Sequence, residues 1–533
     1  MKSKNEAIRP ASYQLVPLTK LLTNELNAVL ICDGVGVGKT ISAAYAILYL
    51  LAKWGKPCAV VCPPTLLAKW MFELKSKFRL EALPVRSQED LETAKEESKH
   101  RGQNTNVYVI ANSILLGAES DDYPGFSLVV FDEIHNYRNN QTKAYQGAMK
   151  VARTVDWRIG LTATPINNSL NDLASELSLL IPNYEWETVQ AATEDLWRTN
   201  RPRLTNALVT RFLKDKLGIH FAERKVVWKE VVYPPGYAAK VREIVRASHT
   251  SHSAFDAITY YRLAASSPVA FAKAFGIKQP LISFDPKIEV LKQILGDRTI
   301  QQWLVFCEFR ETVEYISNTV SEREILTMTG ESPMFERESI LETFSNTPNS
   351  ALVMTSVGSE GLDMQFSQGI INYDLHWNPM KLEQRIGRID RVGQKKEWIQ
   401  IVNILVQGSI DERVLNVINK KLETISGSVF AADGILQSTT TPDQALYDST
   451  VLSGELSESE RLARTFDQNN PITNKDYECL HTVKSAYCQP ELMQTATQND
   501  KLPWINEGGV GEQWIMNVKK DGHEIRTLLD YFA

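Results

Sequence analysis

Short apolar runs rich in β-branched residues recur along the chain, and each is followed by a stretch with helical spacing. In the first half these runs are Ala28–Cys32, Cys58–Cys62, Val107–Ala111, Leu128–Phe131 and Arg158–Thr162. In the second half they are Trp303–Cys307, Glu324–Met328, Ala351–Thr355, Ile370–Asp374 and Ile399–Val406. Strands of this length alternating with amphipathic helices are typical of parallel sheets covered by helices on both faces. The sequence therefore predicts an α/β fold with two parallel-sheet domains in tandem.

The spacing of these runs also predicts the domain boundaries. With 533 residues, the chain is long enough for several domains, each with its own core. We expect a first sheet domain with a helical end at 1–230, a helical insertion at 231–280, a second sheet domain at 281–427 and a C-terminal extension at 428–533. The pattern of apolar residues weakens in the extension, and no role is assigned to it.

The composition restricts the class of protein and its compartment. A content of 43% hydrophobic and 23% charged residues is that of a globular chain. The longest nearly apolar run, Ala43–Ala52, is about half the length that a membrane span needs, and MKSKNEAIRP at the N-terminus has no apolar signal region. We therefore expect a cytoplasmic protein without a membrane partner. The formal charge of −6 excludes a basic coat but still permits a local basic channel for nucleic acid.

The segment ICDGVGVGKT, Ile31–Thr40, ends like a phosphate-binding loop. Such a loop points backbone N–H groups at phosphate oxygens from the start of a helix, which requires glycines where the backbone comes close. Gly36 and Gly38 have this position, Lys39 is predicted to reach the β- and γ-phosphates of ATP, and the Thr40 hydroxyl is predicted to bind Mg²⁺. Asp33 stands where the general pattern has its first glycine.

A second motif, VVFDEIHNYRN, supplies the carboxylates that such a loop needs. The apolar run Leu128–Phe131 ends in Asp132 and Glu133, as a buried strand does when it presents carboxylates at its C-terminal end. We predict that Asp132 holds Mg²⁺ through water, and that Glu133 polarises and aligns the attacking water.

A third motif, QRIGRIDRVGQ, carries closely spaced arginines. Gln384, Arg388 and Arg391 have the spacing i, i+4, i+7, which on a helix places them on one face. Two arginines so aligned can stabilise a γ-phosphate in the transition state. Because they belong to the second set of strands, we expect ATP to be hydrolysed between the two domains.

The motifs, in order, resemble those of the Swi/Snf-type ATPases of helicase superfamily two. The matching segments are RPASYQLVPL, DGVGVGKT, VVCPPTLLAKW, VIANSILL, DEIH, GLTATPINNS, LVFCEFRETVEYI, TMTGESP, TSVGSEGLDMQ and QRIGRIDRVGQ. The subfamily marks are the D-x-x-G-x-G-K-T loop, Trp70, DLHWNP and the R-x-G-Q ending. RLAASSPVAF (Arg262–Phe271) and GSIDERVL (Gly408–Leu415) further resemble the bacterial branch that includes the RNA-polymerase-recycling ATPase.

The resemblance implies two RecA-like domains and a set of site residues beyond those derived above. For the nucleotide it implies Gln14 as adenine reader, with Gly361, Asp363 and Gln384 as further contacts. For the nucleic-acid backbone it implies Pro64, Thr65, Asn112, Ser113, Gly330, Thr355 and Ser356. For coupling between nucleotide state and grip it implies His135, Thr162, Thr164 and Glu360.

Two positions depart from the family pattern. Ile134 fills the variable position of DEIH, where relatives often have Ala or Gly, and Gly34 stands where the subfamily loop commonly has Glu. Neither departure removes a residue with a direct chemical role, so we expect an active ATPase.

Three functions fit this reading. The first is an ATP-driven translocase on double-stranded DNA, which contacts phosphates and therefore binds without sequence preference. The second is a strand-separating helicase on DNA or RNA. The third is an ATP-gated switch within a larger assembly, in phage defence or transcription recycling, where a protein partner supplies the specificity or the effector activity.

Overall fold

The computed structural model describes residues 11–23, 26–100, 107–119, 122–163, 170–198, 208–212, 221–248, 254–356, 362, 364–376, 378–412 and 414–415. The described residues form two compact units, the first up to residue 212 and the second from residue 221 onwards. Among the described residues, no helix is both long enough and apolar enough to cross a membrane.

The described part of the first unit is built on a seven-stranded parallel sheet. Its strands are β1 (Ala28–Ile31), β2 (Cys58–Cys62), β3 (Ala82–Val85), β4 (Val107–Ala111), β5 (Leu128–Asp132), β6 (Trp157–Leu161) and β7 (Val209–Thr210). Their order is β3-β4-β2-β5-β6-β1-β7, and each pairing between neighbours is parallel. The central strands are buried along their length, as expected of strands covered on both faces.

Helices and short turns connect these strands. The helices are α1 (Ser12–Thr23), α2 (Lys39–Trp54), α3 (Leu67–Phe78), α4 (Gln88–His100), α5 (Lys143–Arg153), α6 (Leu170–Leu180) and α7 (Trp186–Arg198). Single 3₁₀ turns cover Pro64–Leu66, Asn112–Leu116 and Ile134–Tyr137. Strands and helices share one continuous apolar core.

The described part of the second unit is built on a six-stranded parallel sheet. Its strands are β8 (Glu223–Val231), β9 (Gln302–Cys307), β10 (Glu324–Met328), β11 (Ser350–Thr355), β12 (Gly369–Asn372) and β13 (Trp398–Val406), in the order β10-β11-β9-β12-β13-β8. Alternate side chains of β9 enter different cores: Leu304 and Phe306 pack on one face of the sheet, and Val305 on the other. This sheet is therefore also covered on both faces.

The helices of the second unit fall into two groups. Those connecting strands of the sheet are α11 (Pro286–Gly296), α12 (Arg310–Thr319), α13 (Met334–Asn346) and α14 (Pro379–Ile386). The helices α8 (Tyr237–Ser248), α9 (Ala254–Ser266) and α10 (Pro268–Ala274) lie between β8 and α11 in the chain. They share a small core of their own, formed by residues such as Val245 and Phe271.

The predicted fold class is confirmed, and the ten predicted strands are present with ends that differ by at most two residues. Three strands were not predicted. The strand β3 contains Pro84 and lies at a sheet edge, where a missing N–H is tolerated. The strand β7 has only two residues, and β8 is a half-exposed edge strand with the charged sequence ERKVVWKEV.

The position of β8 changes the expected domain boundary. The strand pairs with β13 over its whole length, from Glu223 opposite Trp398 to Val231 opposite Val406. The boundary expected at residue 230 therefore cuts through a strand of the second sheet. Because β8 comes before α8 in the chain, the helices α8–α10 interrupt the second unit.

Gly147 sets how closely α5 can approach the turn Asn112–Leu116. A Cβ atom at Gly147 would lie 2.2 Å from the carbonyl oxygen of Leu115, a main-chain atom that cannot move aside easily. We predict that Gly147→Ala lowers the free energy of unfolding by about 1–3 kcal/mol, measured by urea unfolding followed by tryptophan fluorescence.

Gly125→Ala is the matched control in the same unit, because a Cβ at the exposed Gly125 would have no atom within 4 Å. Its free energy of unfolding should stay within about 0.5 kcal/mol of the unsubstituted protein. Equal effects of the two substitutions would contradict the close approach of α5.

Candidate nucleotide-binding site

The order of the first sheet brings three predicted motifs to one edge. In this order β6 lies between β1 and β5, and all three are parallel. At their C-terminal ends, β1 leads into the loop before Lys39, β6 leads into Thr162, and β5 leads into Glu133. Ligand sites of parallel α/β sheets lie at this edge.

The loop between β1 and α2 has the backbone that its glycines allow. Gly36 and Gly38 have φ angles of 85° and 95°, in the left-handed region that side chains rarely adopt. A Cβ atom at Gly38 would also lie 2.8 Å from Nε2 of Gln14. The helix α2 begins directly after Gly38, so its first N–H groups and its positive dipole end face the loop. The geometry is that of an anion-binding loop.

Asp33 anchors this loop to the segment that follows β7. Its carboxylate is buried and accepts a hydrogen bond of 2.9 Å from the backbone N–H of Phe212. The neighbouring Gly34 N–H donates to the carbonyl of Phe212 at 2.9 Å, and the Cys32 N–H donates to the carbonyl of Thr210 at 2.7 Å. Burial raises the pKa of Asp33 to about 7, against the charge of Lys39 and the hydrogen bond from Phe212. The hydrogen bond from Phe212 to its carboxylate thus gives Asp33 a structural role at the position where the general pattern has glycine.

The helix α1 holds the loop from the other side. The Tyr13 hydroxyl is buried and donates to the carbonyl of Val37 at 2.6 Å. Gln14, the predicted adenine reader, accepts from the Ala11 N–H at 3.0 Å and packs against Gly38. Its predicted role stays a prediction, and its observed contact is with the phosphate loop.

Lys39 stands at the first position of α2, beside the carboxylates of motif DEIH. Its ammonium group donates to the carbonyl oxygens of Asp33 at 2.9 Å and Gly34 at 3.2 Å. Burial lowers the pKa of Lys39, while the charges of Glu133, Asp33 and Asp132 oppose this shift. Thr40 follows at the second position of the same helix.

Asp132 ends the buried strand β5 and is held by two donors. Its Oδ2 accepts from the indole Nε1–H of Trp70 at 2.7 Å, and its Oδ1 accepts from the Glu133 N–H at 3.0 Å. Burial raises the pKa of Asp132 to about 6, and the charge of Glu133 adds to the rise, while the Trp70 hydrogen bond and lysine charges lower it. Trp70 is almost fully buried on α3. The sequence marked Trp70 only as typical of the subfamily, and the structure gives it this contact.

Glu133 has a left-handed backbone conformation, with φ of 52° and ψ of 49°. For a residue with a Cβ this conformation costs about 1–2 kcal/mol, and such strain is often found at functional sites. Oε2 of Glu133 lies 3.2 Å from Nδ1 of His135, which in turn lies 3.3 Å from the Thr162 hydroxyl. The structure thus brings together Glu133 and two of the predicted coupling residues.

The predicted Mg²⁺ ligands, Thr40 and Asp132, offer a hydroxyl and a carboxylate. These are hard oxygen ligands of the kind Mg²⁺ prefers, and both Asp132 oxygens keep a lone pair beyond their hydrogen bonds. The described residues contain no group of three or more His, Cys, Asp or Glu side chains that could hold a metal. Two protein ligands are enough for Mg²⁺ that keeps waters and binds substrate phosphates, so the residues fit the ion.

The arginine motif of the second unit differs from its prediction. The helix α14 ends at Ile386, so Gln384 lies in the helix and Arg388 and Arg391 lie in the turns that follow. The expected placement of all three on one helix face is wrong. The N–H of Arg388 donates to the carbonyl of Arg385 at 3.0 Å, a tighter i→i+3 bond typical of a helix end, and Gly387 lies just past the helix.

Arg385, which the sequence did not single out, connects three strand ends of the second sheet. Its guanidinium donates to the Ser356 hydroxyl at 2.9 Å, to the Asn372 side chain at 3.2 Å, to the carbonyl of Asp374 at 2.8 Å and to the Glu308 carboxylate. These partners follow or end the neighbouring strands β11, β12 and β9. Ser356 is a predicted nucleic-acid contact, so it is linked directly to the arginine motif.

The segment RLAASSPVAF joins the same network. Arg262 pairs with Glu308 at 2.9 Å, and the Ser266 hydroxyl donates to Asp374 at 2.8 Å. The fully buried ammonium of Lys287 donates to Asp374 at 2.9 Å, which compensates its charge. This segment therefore ties the helix α9 to the C-terminal edge of the second sheet.

The predicted nucleic-acid contacts lie in two groups, one in each unit. In the first unit, Pro64 and Thr65 follow β2, and Asn112 and Ser113 follow β4, the neighbouring strand. In the second unit, Gly330 follows β10, and Thr355 and Ser356 are at the end of the neighbouring β11. Four further predicted site residues lie outside the described residues: Thr164, Glu360, Gly361 and Asp363.

Two known domain families match parts of this chain. The SNF2-related domain matches residues 13–201, and the helicase conserved C-terminal domain matches residues 286–393. The protein is an ATPase of helicase superfamily two. Within that superfamily it belongs to the Swi/Snf type, as its motifs indicated.

The chain is similar to several curated relatives. It is 26% identical to the uncharacterized ATP-dependent helicase YqhH of Bacillus subtilis, over 80% of this chain and 81% of that protein. It is 26% identical to the RNA polymerase-associated protein RapA of Cronobacter sakazakii, over 74% of this chain but 48% of that protein. The SWI/SNF-related matrix-associated actin-dependent regulator of chromatin subfamily A member 1 of Homo sapiens is 24% identical over 76% of this chain and 42% of its own length. The chain thus matches less than half of the last two relatives.

Trp70→Phe should change the pH dependence of ATP turnover. The substitution removes the hydrogen bond that lowers the pKa of Asp132, so this pKa rises further above about 6. A larger fraction of Asp132 is then protonated at a given pH, and the acid limb of kcat/KM moves up by about one pH unit. The measurement is the pH profile of ATP hydrolysis with Mg²⁺ in excess.

Trp54→Phe serves as the control, because Trp54 is partly exposed at the other end of α2. Its pH profile should match that of the unsubstituted protein. An unchanged acid limb in Trp70→Phe would show that Asp132 does not set it.

Proposed function

We propose that this chain is an ATP-driven motor that moves along double-stranded DNA without separating the strands. The observation that carries the proposal is the grouping of the phosphate-loop glycines, Lys39, Asp132 and Glu133 at one edge of the first sheet. Membership of the Swi/Snf-type family supports a nucleic-acid motor as the class of activity. The further step, that the motor moves on double-stranded DNA, is our proposal.

The proposed hydrolysis uses residues with distinct roles. The loop N–H groups and Lys39 bind the phosphates and offset their negative charge. Glu133 accepts a hydrogen bond from the attacking water and aligns it, with His135 beside its carboxylate. A bound Mg²⁺, held by Asp132 and Thr40, would supply further charge neutralisation. Arg388 and Arg391 stabilise the charge that develops on the transferred phosphoryl group.

Grip on the track is proposed to come from the two groups of residues at strand ends. Hydroxyl, amide and backbone N–H groups can contact phosphates without reading bases, so binding would tolerate any sequence and weaken with salt. The hydrogen bond from Arg385 to Ser356 supports a link between this grip and the arginine motif. The contact between His135 and Thr162 supports a link on the side of the first unit.

Glu133→Gln should abolish turnover but keep ATP binding. The amide has nearly the same shape but cannot act as a carboxylate base, so kcat should fall by about 10²–10⁴-fold. Hydrolysis is measured as phosphate release, and binding with a fluorescent ATP analogue. Glu81→Gln, at a side chain 77% exposed in the same unit, is the control and should leave both unchanged. Undiminished turnover in Glu133→Gln would reject its assigned role.

ATP hydrolysis measured with duplex DNA, single-stranded DNA, RNA or no nucleic acid tests the track. We expect stimulation by duplex DNA that weakens as salt rises, and displacement of a triplex-forming strand without separation of a forked duplex. Efficient unwinding of the fork would replace the translocase by a strand-separating helicase. Stimulation only after adding a protein partner would favour an ATP-gated switch.

A further inference from the structure

The arginine motif carries two buried carboxylates close to its arginines. Glu383 lies in α14 and Asp390 lies between Arg388 and Arg391 in the chain. Their side chains are only 3% and 1% exposed. Removing a carboxylate from water costs several kcal/mol unless a cation and hydrogen bonds compensate it. Each of these carboxylates therefore requires a nearby cation.

One residue, Arg224 on the edge strand β8, supplies that cation to both. Its guanidinium donates to Glu383 through two nitrogens, at 2.7 and 3.2 Å, and to Asp390 Oδ2 at 2.7 Å. The Arg224 side chain is 13% exposed. Burial alone would lower the pKa of Arg224, but the charges of Glu383 and Asp390 outweigh it and raise the pKa above its ordinary value. The guanidinium therefore binds one carboxylate on each side of its planar fork.

The remaining arginines of the motif show why this pairing matters. Arg385 is taken by Glu308 and the other strand-end partners described above. Arg388 and Arg391 make their described side-chain hydrogen bonds with main-chain carbonyls, those of Leu362 at 3.4 Å and Gly387 at 2.6 Å. Charge attraction in a poorly hydrated site is strong over a few ångströms. Arg388 and Arg391 are also the cations that flank Asp390 in the sequence.

We propose that Arg224 is a positioning residue for ATP hydrolysis: by binding Glu383 and Asp390, it keeps these carboxylates from pairing with Arg388 and Arg391. The inference rests on the proposed role of these two arginines at the transferred phosphoryl group. It adds a residue that lies outside the conserved C-terminal domain match at 286–393 and more than one hundred residues before the motif that it serves. It also gives β8 a function beyond closing the sheet edge.

A set of substitutions tests whether a fall in kcat comes from the freed carboxylates or from a loss of structure. Arg224→Gln removes the cation and should lower kcat by about 10- to 100-fold, less than the roughly 10³-fold loss that follows removal of a transition-state arginine. Affinity for a non-hydrolysed ATP analogue should change by less than about threefold, because the phosphate loop is untouched. Duplex DNA and Mg²⁺ are kept at saturation throughout.

The decisive variant combines Arg224→Gln with Glu383→Gln and Asp390→Asn. If the freed carboxylates cause the defect, making them neutral returns kcat to within about fivefold of the unsubstituted protein. If Arg224 acts only as a structural clamp, this triple variant stays as slow as Arg224→Gln, and the inference is wrong. Full activity of Arg224→Gln would overturn it as well.

Two further measurements keep the outcomes distinct. Thermal unfolding shows whether Arg224→Gln is folded. If it is not, Arg224→Lys is used instead, because lysine keeps the positive charge but lacks the planar fork that binds both carboxylates. Combining Arg224→Lys with Glu383→Gln and Asp390→Asn should then restore kcat. Arg391→Ala tests the underlying role. If Arg391→Ala keeps its kcat, the proposed function of the arginines fails; if it loses kcat and the triple variant does not recover, only the role of Arg224 fails.

Discussion

Parallel pairing of strands is the constraint on which the rest of this protein depends. Parallel strands need a crossover between them, and each crossover here returns the chain to the same end of the sheet. The C-terminal ends of the strands therefore meet at one edge in each unit. In the first unit this edge collects the phosphate loop, Thr162 and the carboxylates of Asp132 and Glu133 at the end of β5. In the second it collects Glu308, Ser356 and Asp374, which Arg385 joins.

Buried ionisable side chains are the second feature of this structure, and the hydrogen-bond partner of each comes from another element. Asp132 depends on the indole of Trp70, Lys287 depends on Asp374, and Asp33 depends on the N–H of Phe212. A buried ion pair such as that of Lys287 and Asp374 contributes little net stability, but loss of one partner leaves an uncompensated charge that costs about 3–5 kcal/mol. These buried contacts determine the positions of the side chains more than they add to the stability of the fold. A nucleotide site and an arginine motif both need that kind of precision.

The sequence was sufficient for the features that depend on local pattern. Runs such as Leu128–Phe131 and Cys58–Cys62 are apolar on both faces because both faces are covered, and this pattern is visible without a structure. Gly36 and Gly38 could be placed because only glycine fits a loop that approaches phosphates with positive φ. The fold class and the family follow from these features.

The features that sequence reasoning missed depend on distant partners or on edges. The strand β8 is half exposed and rich in charge, so its pattern resembles a surface loop until its pairing with β13 is known. The helix α14 ends sooner than the arginine spacing suggested, because Gly387 and the network around Arg385 favour a turn. No periodicity reveals that Trp70 donates to Asp132 across 62 positions of sequence. Long-range hydrogen bonds of side chains have no local signal.

The place of β8 in the chain has a consequence for how this protein can vary. The helices α8–α10 lie between β8 and β9 in the chain, and both strands belong to the second sheet, so these helices form an insertion in that sheet domain. An insertion of this kind can become longer or shorter, or change its surface, while the strands on either side of it keep their register. Surfaces of this helical segment away from Arg262 and Ser266, which bond to the strand ends, can therefore change to suit different partners without disturbing the strands that carry the chemistry.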